Sequence, residues 1–318
     1  MDTIAEEIVI LAPTLAPDNE VPQEMFRALI GWANSQWAID VRNSVITDTV
    51  EDHLKALAAC QMIIASRPNF TPTNPITEIE DSTSLDALKM RPETAYIARE
   101  VTKAGGTWRF AKVDLRNVLA FQPLVTVDNI GDSPVQSDMS DEQFYQICFP
   151  PCRPIAPDEV TVEGNEAGYR ITILNPNIRV FPWHLLPFPA EIPQPAYNIQ
   201  YPDVTLPFQV GLVPFALVRV PNYLQIVRYR ERFFVRDGYT RVARFLCQGI
   251  HIVPCMFIEA PSVQLLGWRQ GMLDLPLLLG PHPPRLTDYW DDEVSCSGVR
   301  QPFRYVYTVN SAMTPTLR

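Results

Sequence analysis

The sequence predicts an α+β fold, with a helical N-terminal region (residues 1–106), a mixed sheet-and-helix domain (107–260) and a C-terminal extension (261–318). Three observations predict it. Apolar residues recur at three- and four-residue spacing in the N-terminal third, and the pattern switches to alternation after Trp108. From Leu212 to Ile258 the order then reads strand, strand, glycine loop, helix, strand.

Taken in order, Met25, Phe26, Leu29, Ile30, Ala33 and Trp37 predict an amphipathic helix over Val21–Trp37, with Pro22 in its first turn. A second helix starts near Asp48 or Thr49, where Thr49 and Asp52 resemble a capping box, and runs through Leu54, Leu57, Ala58 and Ile64 until Pro68 stops it. The stretch PNFTPTNPITEIEDSTS reads as a linker. A third helix spans Pro92–Lys103, with Gly105 and Gly106 supplying a left-handed exit. Trp108 to Val113 alternates as a strand, and LVTV follows as another. Val160–Val162 and Tyr169–Ile173 form a strand pair joined at EGNEAG, and PNIRVF adds an extended piece. Between Phe181 and Phe208 the prolines exclude helix and central strand, so this stretch should wrap a surface. PFALVRV and YLQIVRY are strands, and FRYVYTV is the last one.

Composition narrows the function. Hydrophobic residues make up 47% and charged residues 19%, which predicts a folded chain, while 31 prolines against 13 glycines predict much extended structure. A net charge of −10 is unsuited to following a DNA backbone, so nucleic acid should bind weakly and without sequence preference. No apolar run has the length of a membrane span, and the acidic start MDTIAEEIVI lacks the bases of a signal peptide, which together predict a cytoplasmic protein. The six cysteines (Cys60, Cys148, Cys152, Cys247, Cys255, Cys296) are scattered and read as reduced thiols. The four histidines stand singly, so no zinc site is expected.

One segment inverts the charge balance. In RYRERFFVRDGYTRVAR, Arg228, Arg230, Arg232, Arg236, Arg241 and Arg244 face only Glu231 and Asp237, leaving a net +4. Gly238 can take a backbone conformation that lets amides approach a ligand, and a helix starting near Thr240 would aim its free N–H groups and positive dipole end at the same place. Arg241, on the first turn, can close a bidentate pair on a phosphate. Arginines along a strand can equally be a solvated face, and Asp237-Gly238 is also a common tight turn between strands.

The phrase ERFFVRDGYTRVARFLCQGIHIVPCMFIE resembles the ParB/sulfiredoxin superfamily through Asp237, Gly238, Arg241 and Ala243, with Gly249 and Val253-Pro254 at matching distance. WRFAKVDLRNVLAFQPLVTV looks like the family's opening strand and "L…QP" segment, which would make Pro154–Phe208 an insertion. The resemblance implies a bacterial or phage protein that holds ATP or CTP, with Mg²⁺, at Asp237, Gly238, Tyr239, Thr240 and Arg241, helped by Arg236 and Arg244. Two departures narrow it. Sulfiredoxins need Gly-Cys-His-Arg where this chain has Tyr239 and Thr240, and no DNA-reading helix-turn-helix is legible after Ile258.

Tyr239 is expected to stack on a base or pack on Phe234 with its hydroxyl dispensable, and His251 to point outward from a strand. Asp288, Asp291, Asp292 and Glu293, beside Tyr289 and Trp290, read as solvent-facing charge on a loop, with Mg²⁺ binding as the alternative. The expectation is therefore a nucleotide- or phosphate-binding component with a binding or switching role, whose N-terminal helices meet protein partners and which contacts no membrane. The alternatives are a Mg²⁺-dependent hydrolase, kinase or nuclease on the same fold, and a structural adaptor without ligand.

Overall fold

A computed structural model describes residues 5–10, 14–17, 23–33, 50–80, 82–127, 136, 138–165, 168–175, 177–182, 215–268, 272–300 and 303–314. The strands are β1 (Ala5–Ile10), β2 (Thr14–Pro17), β3 (Glu24–Ala28), β4 (Ile76–Glu78), β5 (Thr107–Asp114), β6 (Leu124–Thr126), β7 (Val160–Asn165) and β8 (Gly168–Ile173). They continue as β9 (Ile178–Pro182), β10 (Phe215–Arg219), β11 (Gln225–Tyr229), β12 (Arg232–Asp237), β13 (Ile252–Glu259), β14 (Cys296–Arg300) and β15 (Phe303–Thr314). The helices are α1 (Val50–Ser66), α2 (Thr83–Lys89), α3 (Pro92–Lys103), α4 (Asp141–Cys148), α5 (Tyr239–Cys247), α6 (Val263–Leu266) and α7 (Leu275–Leu278). The α+β class holds.

The chain divides into two compact units. One comprises Met1–Asp18, Arg153–Val220 and Phe303–Arg318, and the other Asn19–Cys152 and Pro221–Pro302. The first joins both ends of the chain to the segment read as an insertion. Its antiparallel sheet runs β1-β15-β8-β7 with β2 also on β15, and β9 pairs with β10. Ile171, Ile173, Ile178, Val180 and Tyr307 form its core. Glu159 is buried among donors there: Ala156 N–H at 2.8 Å, Asn175 Nδ2 at 2.8 Å, Arg153 Nη2 at 3.1 Å and Arg219 Nη2. Burial raises its pKa, but these hydrogen bonds win and hold the carboxyl at about 2. The proline-rich stretch from residue 183 to 214 lies outside the described residues.

The second unit carries a five-stranded sheet of order β12-β11-β13-β5-β4 and a three-stranded sheet of order β14-β3-β6. β11 and β13 run parallel, so α5 carries the chain over β11 from β12 to β13. Val113, Ile226, Val227, Phe234, Cys255 and Ile258 are buried on these strands because both sheet faces are covered. α1, α3, β5 and the β11–β13 unit follow the sequence reading, and Gly105 takes φ +78° at the exit of α3.

Residues 23–33 do not form the helix expected over Val21–Trp37. They hold strand β3 and a 3-10 turn, Ile30–Trp32, while residues 21–22 and 34–37 lie outside the described residues. Phe26 and Ala28 turn inward as alternation requires, and β3 is paired on both sides, by β14 and β6. Those distant partners overrule a helical spacing that was coincidental. The region 1–106 is accordingly mixed rather than helical. The presumed linker holds β4, which pairs with β5, and Ser82, which caps α2 by accepting from Leu85 N–H at 3.2 Å.

Candidate functional site

β12 ends at Asp237, and the chain turns through Gly238 at φ 96°, ψ 22° to start α5. A side chain at 238 would be strained at this φ and would bring its Cβ to 2.9 Å from Leu224 Cδ1 and 3.3 Å from Leu224 Cα, so glycine is required. The first helical bond runs from Val242 N–H to Gly238 O at 3.0 Å, and no side chain of Gly238 caps the end. The N–H groups of Tyr239, Thr240 and Arg241 have no partner within the helix and lie at its positive end. Thr240 is exposed beside them.

The neighbouring side chains point inward. Tyr239 is buried with its ring edge-on to Phe121 at 5.8 Å, and Phe121 in turn packs on Phe234 at 6.2 Å. Its hydroxyl, expected to be dispensable, accepts from Phe121 N–H at 2.9 Å and Gln122 N–H at 3.3 Å. From the other side Tyr289 donates to Gln122 O. Burial pushes the Tyr239 phenol well above its ordinary value, which keeps it neutral. The same loop is fastened to β12 by Leu119 N–H on Phe233 O at 2.8 Å and Val235 N–H on Leu119 O at 3.3 Å.

Arg241 also turns inward. Its Nη1 donates to Cys148 O at 2.8 Å and Ile147 O at 3.3 Å, and its Nη2 to Asn222 O at 2.6 Å and to Asn222 Oδ1. The guanidinium therefore answers the unpaired carbonyls at the end of α4 and ties them to the loop before β11. Burial lowers its pKa, with Asp237 and Cys148 opposing. Burial likewise pushes the Cys148 thiol up to about 12, so it is no nucleophile.

The other arginines separate rather than gather. Arg236 donates to Gln225 Oε1, and Arg244 buries its Nε without a hydrogen-bond partner among the described residues. Arg228 pairs with Glu231 at 2.5 Å and Glu259 at 3.3 Å. Arg230 lies over Tyr229 with 5.4 Å to the ring centroid, and Arg232 donates to Leu278 O at 2.7 Å. The six charges contiguous in sequence thus meet different partners. Asp237 is half-buried and lies within electrostatic reach of Arg236 and Arg241.

The acids around Trp290 are engaged too. Arg67 binds Asp288 at 3.0 Å and Asp291 at 2.6 Å, and Arg27 binds Asp292 at 2.6 Å. His251 donates nothing through its buried Nδ1 among the described residues, while its carbonyl accepts from Leu115 N–H at 2.8 Å. Cys247 is exposed at the end of α5.

Sequence reading missed Asn222, Leu224, the Phe121-Gln122 peptide and α4. Only α4 announced itself, through Ser140 and Gln143, which form a reciprocal capping box. No protein-family model, curated protein or solved structure matches the chain.

Proposed function

We propose that the second unit is a ParB/sulfiredoxin-like domain that binds a nucleotide or phosphate ester at the start of α5, as a binding or switching component. One observation carries the reading: Gly238, in the left-handed conformation and with no side chain to cap the end, opens a nine-residue helix beside an exposed Thr240. Tyr239 and Arg241 act as inward anchors that fix this turn, and Thr240 with the backbone N–H groups meets the anion. ATP or CTP, with Mg²⁺ carried on the phosphates, is the ligand class that the sequence resemblance favours. Binding is favoured over turnover because the Tyr239 phenol is held neutral and the Cys148 thiol is buried, so neither serves as an activated base or nucleophile at the turn.

A second reading, protein docking through the N-terminal helices, has one observation in its favour. α1 leaves Leu54 and Met62 exposed while Leu57 and Ile64 turn inward.

Calorimetry with ATP, CTP and tripolyphosphate, each with and without Mg²⁺, tests the first reading in wild type and Thr240→Asp. A carboxylate there suits the helix start yet competes with an incoming anion. Binding that weakens at least about tenfold in the variant supports the proposal. No binding by wild type, or equal affinity in both proteins, overturns it.

A further inference from the structure

Away from the α5 turn, the second unit holds a pocket of about 320 Å³ between the end of α1 and the 281–288 segment. Its size falls at the lower end of small-ligand sites. Two aromatic side chains are fixed in its wall by main-chain bonds to one proline-rich loop. Trp32 Nε1 donates to His282 O at 2.7 Å, and Phe70 N–H donates to Pro281 O at 2.7 Å.

The charges around these rings are unevenly answered. Arg67 lies over Trp32 with 5.5 Å to the ring centroid, but Asp288 and Asp291 neutralise it. Phe70 has two guanidiniums against it, Arg285 at 5.7 Å and Arg232 at 5.1 Å. Neither has a carboxylate within ion-pair distance among the described residues; Asp288, also in the lining, lies within electrostatic reach of Arg285 but is paired with Arg67, and Arg285 is exposed. His282, also in the lining, buries Nδ1 with no hydrogen-bond partner among the described residues. A buried polar atom left without a partner costs free energy that a ligand atom can recover.

We propose that this pocket binds a small organic anion with a planar ring, an aromatic phosphate ester or carboxylate. The ring lies along Phe70 and the Trp32 edge, and the anionic group takes the bidentate face of Arg285 with His282 and Thr287 as further polar contacts. A bare anion leaves the aromatic wall unused, and a neutral ring leaves Arg285 unanswered, so both parts are needed. This site is separate from the α5 turn and does not depend on that reading.

The test uses the full chain and phenyl phosphate as probe, with inorganic phosphate and phenol as half-probes, followed by calorimetry and ligand-observed NMR. Wild type should bind phenyl phosphate at least about tenfold tighter than either half-probe. Arg285→Ala, at an exposed position, should weaken it at least about tenfold, while Arg285→Lys restores charge without the planar fork and recovers only part. Because the α5 turn is itself proposed to take phosphate esters, the pocket is read as the phenyl phosphate binding that persists in Thr240→Asp and is lost when Arg285→Ala is added. Binding retained in the double variant overturns the pocket, and if Thr240→Asp alone abolishes phenyl phosphate binding the anion belongs to the α5 turn instead. Absence of any phenyl phosphate binding by wild type up to about 10 mM also overturns it.

Discussion

Replacing Tyr239 with Phe removes one oxygen and keeps the ring, so its effect isolates the hydroxyl that holds the Phe121-Gln122 loop. That oxygen accepts two backbone N–H groups, at 2.9 Å in a buried setting and at 3.3 Å in a partly buried one. Leaving a buried N–H unpaired costs about 1–3 kcal/mol, and the weaker second bond adds less than about 1 kcal/mol. The edge-on contact with Phe121 survives in the variant, so no packing loss is added. The expected destabilisation is about 2–3 kcal/mol. Because the chain has two units, a single unfolding midpoint is an unsafe readout, and amide hydrogen exchange at Phe121 and Gln122 is the better assay. Protection there should fall by roughly 30- to 150-fold if these amides open with the loop. Unchanged protection at both amides would refute the reasoning and return the hydroxyl to the dispensable role expected from sequence.

Arg241→Ala should cost about 3–4 kcal/mol and loosen α4, since it strips donors from Ile147 O, Cys148 O and Asn222; Arg241→Lys should fail to rescue, because one ammonium cannot span both loops. Amide hydrogen exchange along α4 in the three proteins checks it, and wild-type protection there in Arg241→Ala would contradict it. Gly238→Val should destabilise the second unit by at least about 2 kcal/mol through its φ of 96° and the contact with Leu224, read by urea titration. Glu159 has a folded pKa of about 2 against an ordinary 4.5, so its stabilisation is present above the ordinary value and is lost as pH falls from 4.5 towards 2. That contribution is below about 3.5 kcal/mol, and is further reduced by solvent screening at the exposed Arg153 side; Glu159→Gln should flatten the acid limb of amide protection in β7 and β8 across pH, and an unchanged limb would refute the role of Glu159.

The strand–glycine–helix–strand unit was legible because local rules agree there. Short apolar runs rich in β-branched and aromatic residues mark β11 and β12, Gly238 marks the turn, and the helical period resumes at once. The directions of Tyr239 and Arg241 were not legible, since their partners lie 118 and 93 residues away in sequence. A run of six arginines likewise looks like one patch until strand pairing and helix rotation send its members to different neighbours. The Val21–Trp37 segment failed for the opposite reason: its local pattern was clear, and pairing with β14 from the far end of the unit overruled it.

The proposed anion seat is the set of N–H groups at the start of α5, those of Tyr239, Thr240 and Arg241. Amide chemical-shift mapping on the full chain, titrated with CTP or ATP and Mg²⁺, addresses those groups directly. The amides of Tyr239, Thr240 and Arg241 should shift first and saturate together, and Thr240→Asp should abolish the effect. Nucleotide-induced shifts that leave these three amides unmoved, or no shifts anywhere at saturating nucleotide, would contradict it.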